Sequence, residues 1–299
     1  MGLSVSAIVQ LLYGIPSLIL MVFFTIILST AKVFSYSFYR LVQFDIVINF
    51  FCYFNSWLGI RVSQEWFGRN LLTSVVMFCP SIMNLSAVLI IWFFHAQNVS
   101  SFLLCLHRLT TMVFVSADKF WKNFCWLVMI LGMFYSTLAW GGYRIAGVSY
   151  NYYIENDTMR YQAYNVNTMF TINPIFAVIY FGLILSSGIA TIYIVGKKFR
   201  AANSSQSSKF MRKLAFVTAA NSFVMSGNLL YTIVFGLETV FEWNIISRRA
   251  KSTTIPFASD MITLAMPWIL LALDGNVHKF FGFTKQPKKS PVISLTQQN

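Results

Sequence analysis

The stretch Asn84–Arg108, NLSAVLIIWFFHAQNVSSFLLCLHR, constrains the fold more than any other part of the chain. It is apolar enough to cross a bilayer. Yet Asn84, Val88, Ile91, His95, Asn98, Ser101, Cys105 and Arg108 recur at steps of three or four, the spacing that gathers side chains on one face of a helix. At ~1.5 Å per residue the stretch reaches roughly 37 Å, enough for a ~30 Å hydrocarbon core with one end among the headgroups. Arg108 is therefore expected where the helix leaves the lipid. A helix that is aliphatic and aromatic on one side and small or polar on the other turns the first side to lipid and the second to neighbouring helices or water. The sequence predicts the central helix of a polytopic bundle.

Composition agrees. With 57% hydrophobic residues, 10% charged residues and 30 Phe, the chain departs from soluble domains, in which about 25% of residues are charged. Its net charge of +13 does not point to nucleic acid, because the basic residues lie in short runs between apolar segments instead of on one solvated face. Cys52, Cys79, Cys105 and Cys125 have no CxxC spacing and no His/Cys cluster near them, so neither a metal nor any other cofactor is expected. The start, MGLSVSAIVQ, lacks a basic leader and runs into a spanning segment, so it is read as a first transmembrane helix, and its weak myristoylation pattern is set aside.

The expected fold is an all-α, seven-transmembrane bundle over residues 1–281, with spans at about 8–29, 41–60, 84–108, 124–140, 169–195, 214–237 and 255–273, and a polar cytoplasmic tail over 282–299. Residues 71–115 are long enough for two crossings, but a second would carry His107 and Arg108 at depth, at ~3 kcal/mol for a charge. One crossing is preferred, preceded by an apolar shoulder over 71–83 that Pro80 bends. The Tyr- and Asn-rich stretch Tyr143–Thr168 is read as the longest outer loop. With seven spans, Lys32, Arg40, Arg108, Lys119, Lys122, the six basic residues of 197–213, Lys279, Lys285, Lys288 and Lys289 share one side. That side holds fifteen of the 22 Lys and Arg, so the positive-inside rule puts the N-terminus outside and the C-terminus in the cytoplasm.

Several stretches resemble one family. LLYGIPSLIL (11–20), SFYRLVQFDIVIN (37–49), LCLHRLTTM (104–112) and SDMITLAMPWILLALD (259–274) look like the nematode serpentine receptor class gamma chemoreceptors, in that family's order and across essentially the whole chain. The resemblance implies a seven-helix receptor for small chemical cues in the plasma or ciliary membrane of sensory neurons, coupled to a heterotrimeric G protein and open to pairing as a homo- or heterodimer. The better-understood rhodopsin-like pattern carries over only in part. His107-Arg108-Leu109 stands where Asp-Arg-Tyr would be, Met266 and Leu270 flank Pro267 where Asn and Tyr would be, and the outer disulfide is missing. An arginine-centred signalling switch at Arg108, with Asp45, Asn49 and Pro267, is thus implied by position while its partners stay open.

Each candidate residue also has a plainer reading. Arg108 can simply mark a helix end. Asp45 and Asn49, one turn apart, can form a packing hydrogen bond or a conformational, ion-linked device. His95 and Asn98 can line a ligand cavity or be satisfied core residues. Asp260 can face a cationic ligand, cap its helix, or pair with Arg248 or Arg249. Asn156-Asp157-Thr158 is the one glycosylation acceptor expected outside, the others at Asn84, Asn98 and Asn203 falling in lipid or cytoplasm. Ser204, Ser205, Ser207 and Ser208 are either solvated loop residues or phosphorylation sites. Trp57, Trp66, Trp121 and Trp140 are read as interfacial belts. Asp45 and Asp260 lie near opposite membrane surfaces and cannot cooperate, so an enzyme is not expected. The alternative to a receptor is a ligand-gated channel or a small-molecule transporter, although no internal repeat supports the latter.

Overall fold

The first helix, α1 (Val5–Thr30), starts where the Ser4 hydroxyl accepts the Ala7 amide at 3.1 Å, satisfying one of the donors a helix start leaves free. The computed structural model describes residues 4–65, 67–114, 116–155, 158–201, 206–241 and 248–282. After a short turn, α2 (Ser37–Ser56) widens into a π turn over Trp57–Arg61. The expected apolar shoulder is a separate helix, α3 (Gly68–Phe78), whose 11 residues reach only ~17 Å and cannot cross a bilayer. At Cys79 the backbone leaves the helical region (φ −150°, ψ 89°), and Pro80 opens α4 (Pro80–Val113) at the position where a missing N–H matters least. Pro80 therefore produces a break and a restart, not a bend within one helix.

The chain continues with α5 (Ala117–Ile145), the hairpin β1 (Ser149–Glu155) and β2 (Thr158–Tyr164), then α6 (Val166–Ala201), α7 (Gln206–Val240), α8 (Arg248–Leu273) and the short α9 (Gly275–Phe280). Among the described residues, seven helices are long and apolar enough to cross a membrane, and residues 71–115 contribute one of them. The fold is a seven-transmembrane helix bundle. α4 is its centre: 61% of its apolar window is buried, against 17% for α5, and it packs on α2, α5, α6 and α7. Along α4, Ile91, His95, Asn98, Ser101, Cys105 and Arg108 are all buried, so the predicted ribbon faces protein. The outer side of α5, with Trp126, Leu127, Ile130, Phe134 and Leu138 exposed, suits contact with lipid.

Two expectations are corrected. The stretch 143–168 is no plain loop: β1 and β2 pair antiparallel, Tyr152 opposite Tyr161, and Tyr152 and Met159 pack on Leu72, Val76 and Met83. Arg108 does not end its helix. α4 runs on to Val113, and Arg108 is fully buried among the aromatic residues that begin α2.

Both ends of the bundle are tied down. At one end the Ser4 amide and hydroxyl donate to Glu65 (3.0 and 2.6 Å), the Met159 amide donates to Thr73 Oγ1 (3.0 Å) and the Tyr152 amide to Asn84 Oδ1 (3.3 Å). The start of α1, α3 and the hairpin therefore share that end. At the other end Met112, Val195 and Ala215 bring α4, α6 and α7 together. Between helices, apolar burial gives little drive inside lipid, so close approach at small residues matters more. The α6–α7 contact includes Gly236, where a Cβ would run into the Pro174 ring.

Candidate functional site

A cavity of about 270 Å³ opens between α2, α4, α6, α7 and α8. Its apolar wall includes Phe94, Phe170, Met225 and Phe235; its polar groups include Asn55, Ser56, Gln97, Asn98, Asn173, Asn228, Tyr231 and Ser259. Among its described lining residues there is no Asp, Glu, Lys, Arg or His. A second cavity, about 400 Å³, lies between α4, α5 and the foot of β1, lined by Asn84, Trp140, Arg144 and Tyr150. Of the two, the first is lined by all three helices, α2, α4 and α8, that the buried network below joins.

Of the three sequence-predicted ligand residues, Asn98 lines this cavity. His95 is turned elsewhere: its Nδ1 meets Tyr180 Oη at 2.7 Å, and the rings of Phe176, Tyr143 and Tyr135 surround it. Asp260 is not among the lining residues. It is held by Arg61, at the π turn ending α2, and by the Tyr13 hydroxyl of α1. Arg61 is buried beside the rings of Tyr53 (5.0 Å) and Trp57 (5.2 Å). The ion pair thus lies between three spanning helices, with a partner different from the Arg248 or Arg249 weighed from sequence.

Below the cavity, a buried polar network joins α2, α4 and α8. Asp45 accepts from Asn49 Nδ2 (2.9 Å) and from the Ser100 hydroxyl. Gln97, which also lines the cavity, donates to Asn49 Oδ1 (2.6 Å) and to Thr263 Oγ1 (3.2 Å). One turn beyond Thr263, Pro267 removes an amide from the ladder of α8. Its neighbour Trp268 donates to Ser17 Oγ of α1 at 2.9 Å.

At the far end of α4, the Arg108 guanidinium lies 3.6 Å from the Phe38 ring centroid, with Tyr36 at 5.5 Å. Its nitrogens make no hydrogen bond of ordinary geometry. The carboxylate of Asp274 is engaged by Tyr39 Oη (2.9 Å) and by the amides of Asn276 and Val277, capping α9. Aromatic faces therefore hold the arginine where an acidic neighbour is absent, an attraction worth ~2 kcal/mol when desolvated. The Tyr36 hydroxyl donates to Asp118 (2.7 Å), and burial pushes its phenol up to about 12, so it stays neutral. His107 completes the cluster through Ser37 Oγ (2.8 Å) and the Trp121 ring (4.9 Å). Trp121 is buried and donates to Thr110, so it forms no interfacial belt.

Sequence reasoning missed Phe38, Tyr36, Arg61 and Tyr13. The aromatic spacing around Ser37 was visible, but nothing local says that α4 delivers an arginine to it. Asn156, Trp66, Ser204 and Ser205 lie outside the described residues, as do the side chains of Ser207 and Ser208 and, beyond residue 282, the tail. Among the described residues no cluster of three His, Cys, Asp or Glu forms that would hold a metal ion.

A family model described as Srg family chemoreceptor matches residues 7–281. Serpentine receptor class gamma-47 of Caenorhabditis elegans is 29% identical over 283 residues, covering 92% of this chain and 89% of that protein. Serpentine receptor class gamma-53 of the same organism is 30% identical over 276 residues, covering 90% and 88%.

Proposed function

The chain belongs to the Srg family of chemoreceptors, and from that membership we propose that it binds a small chemical cue in the 270 Å³ cavity and signals to a heterotrimeric G protein at the Arg108 end. It is a multi-pass integral membrane protein, and its family implies a receptor rather than an enzyme. The observation that carries the reading is the continuity of α4: Gln97 and Asn98 line the cavity, Gln97 and Ser100 belong to the Asp45 network, and Arg108 ends the same ribbon. A ligand that favours one arrangement of the cavity biases the network and, through it, the hold on Arg108. Arg108, Asp45, Asn49 and Pro267 are the switch residues of this scheme. The ends of α4, α6 and α7 near Arg108 form the G-protein surface, to which the basic stretch 197–213 adds charge.

In sensory neurons this end faces the cytoplasm and the hairpin faces out, as the fifteen-to-seven division of Lys and Arg supports. Arg108→Ala is expected to keep surface expression and lose evoked signalling in a calcium or cyclic-nucleotide reporter. A normal response in that variant removes the arginine from the mechanism. In the same cells the protein is expected to carry one glycosidase-sensitive band shift that Asn156→Gln abolishes, and maleimide is expected not to reach a cysteine placed at position 209 from outside. Labelling of that position on intact cells reverses the orientation.

A further inference from the structure

The geometry points to a neutral alcohol as the ligand of the central cavity, its hydroxyl donating to Asn98 Oδ1. This deepens the receptor reading and rests on it for the choice of cavity. No described lining residue carries a charge, and Asp260, beside the lining Ser259, is already taken by Arg61 and Tyr13. A carboxylate or ammonium ligand would be buried without a counter-charge, which is strongly unfavourable.

The polar groups narrow the choice further. Asn98 Nδ2 donates to the Phe94 carbonyl at 2.7 Å. That bond fixes the amide's orientation, since the flipped amide would set two acceptors against each other. Oδ1 is left buried with no partner, on a residue 3% exposed. Three neighbouring amides are engaged: Asn173 Oδ1 accepts from Tyr143 Oη (2.6 Å), Asn55 Nδ2 donates to the Ser86 carbonyl (3.1 Å), and Gln97 donates to Asn49 and Thr263. A buried acceptor without a donor is costly, and a ligand hydroxyl relieves that cost. The apolar wall, with Phe94, Phe170, Met225, Phe235 and Ile262, takes the rest of the molecule. Its volume lies just under the ~300–1,000 Å³ usual for drug-sized ligands, so the body is short.

The test uses the full chain, purified in lipid nanodiscs and photolabelled with a diazirine-bearing octanol. Octanol, octanoic acid, octylamine and heptyl methyl ether serve as competitors. Peptides lining the cavity are expected to be labelled, and octanol is expected to compete about tenfold better than the acid, the amine or the ether. Asn98→Leu is expected to lose about tenfold in labelling, and Asn98→Asp to turn the preference toward the amine. Equal competition by acid or amine, undiminished labelling of a folded Asn98→Leu, or no labelling of the cavity overturns the inference. If Asn98→Leu does not fold, the shift in preference of Asn98→Asp decides. Binding is read without any G protein. Alcohol-selective labelling with no cellular response would sink the receptor reading alone, whereas signalling evoked by an acid or amine in this cavity would sink the alcohol alone.

Discussion

Asp260→Ala is expected to remove most receptor from the cell surface. The substitution leaves the Arg61 guanidinium, 4% exposed, without its anion, and breaking a buried pair from one side costs roughly 3–5 kcal/mol. Folded proteins hold a margin of only about 5–15 kcal/mol, so such a loss consumes much of it. The rings of Tyr53 and Trp57 soften the penalty but cannot replace a carboxylate. Replacing both partners by apolar residues of similar bulk, Arg61→Met with Asp260→Leu, is expected to restore most of the lost surface signal, because no unpaired charge then remains. Thermal unfolding of detergent-purified protein and surface immunostaining read both variants. A single substitution that loses less than about 1 kcal/mol would show that water or another acceptor serves Arg61 instead.

Phe38→Leu is expected to raise signalling in the absence of any cue. The ring face 3.6 Å from the guanidinium is the main attraction holding Arg108 in its buried position. Losing ~2 kcal/mol of that hold shifts the balance between held and released arginine about thirtyfold. A released form present at about 1% would rise to roughly a quarter of the population. Phe38→Trp, with the stronger ring, is expected to lower basal output and weaken the response to a cue. Basal reporter activity normalised to surface expression measures both. If Phe38→Leu is as quiet as the parent at equal expression, the aromatic hold does not set the resting state.

Much of the architecture was legible in the chain, for reasons that can be assigned to particular residues. The three-and-four spacing from Asn84 to Arg108 was strong because a lipid-facing helix tolerates few polar groups, so the ones present report the inner face. His107 and Arg108 excluded a second crossing in 71–115, and α3 is indeed too short to span. The hairpin was hidden by composition. Tyr150, Tyr152 and Ile154 do alternate, but Asn151 among them and Glu155 and Thr158 after them read as loop, and the apolar floor under the hairpin comes from α3 and the start of α4. The site was the least legible part. Asn98 and His95 lie three residues apart on one ribbon, yet one lines the cavity and the other turns toward α5 and α6. Asp260 meets Arg61 across 199 residues of chain, a pairing that depends on helix placement and on the extra residue in the π turn.

The tight fit of Gly236 against Pro174 would serve as a fulcrum for any tilt of α7 against α6. α7 is 35 residues long, and Gly236 lies near its final turn, so about 45 Å of helix hangs on the other side of that point. A swing of about 5° there would carry the distant tip through about 4 Å while hardly disturbing the walls around the pivot. Bulk added at position 236 would pry the two rods apart at the wrong place and shorten the stroke.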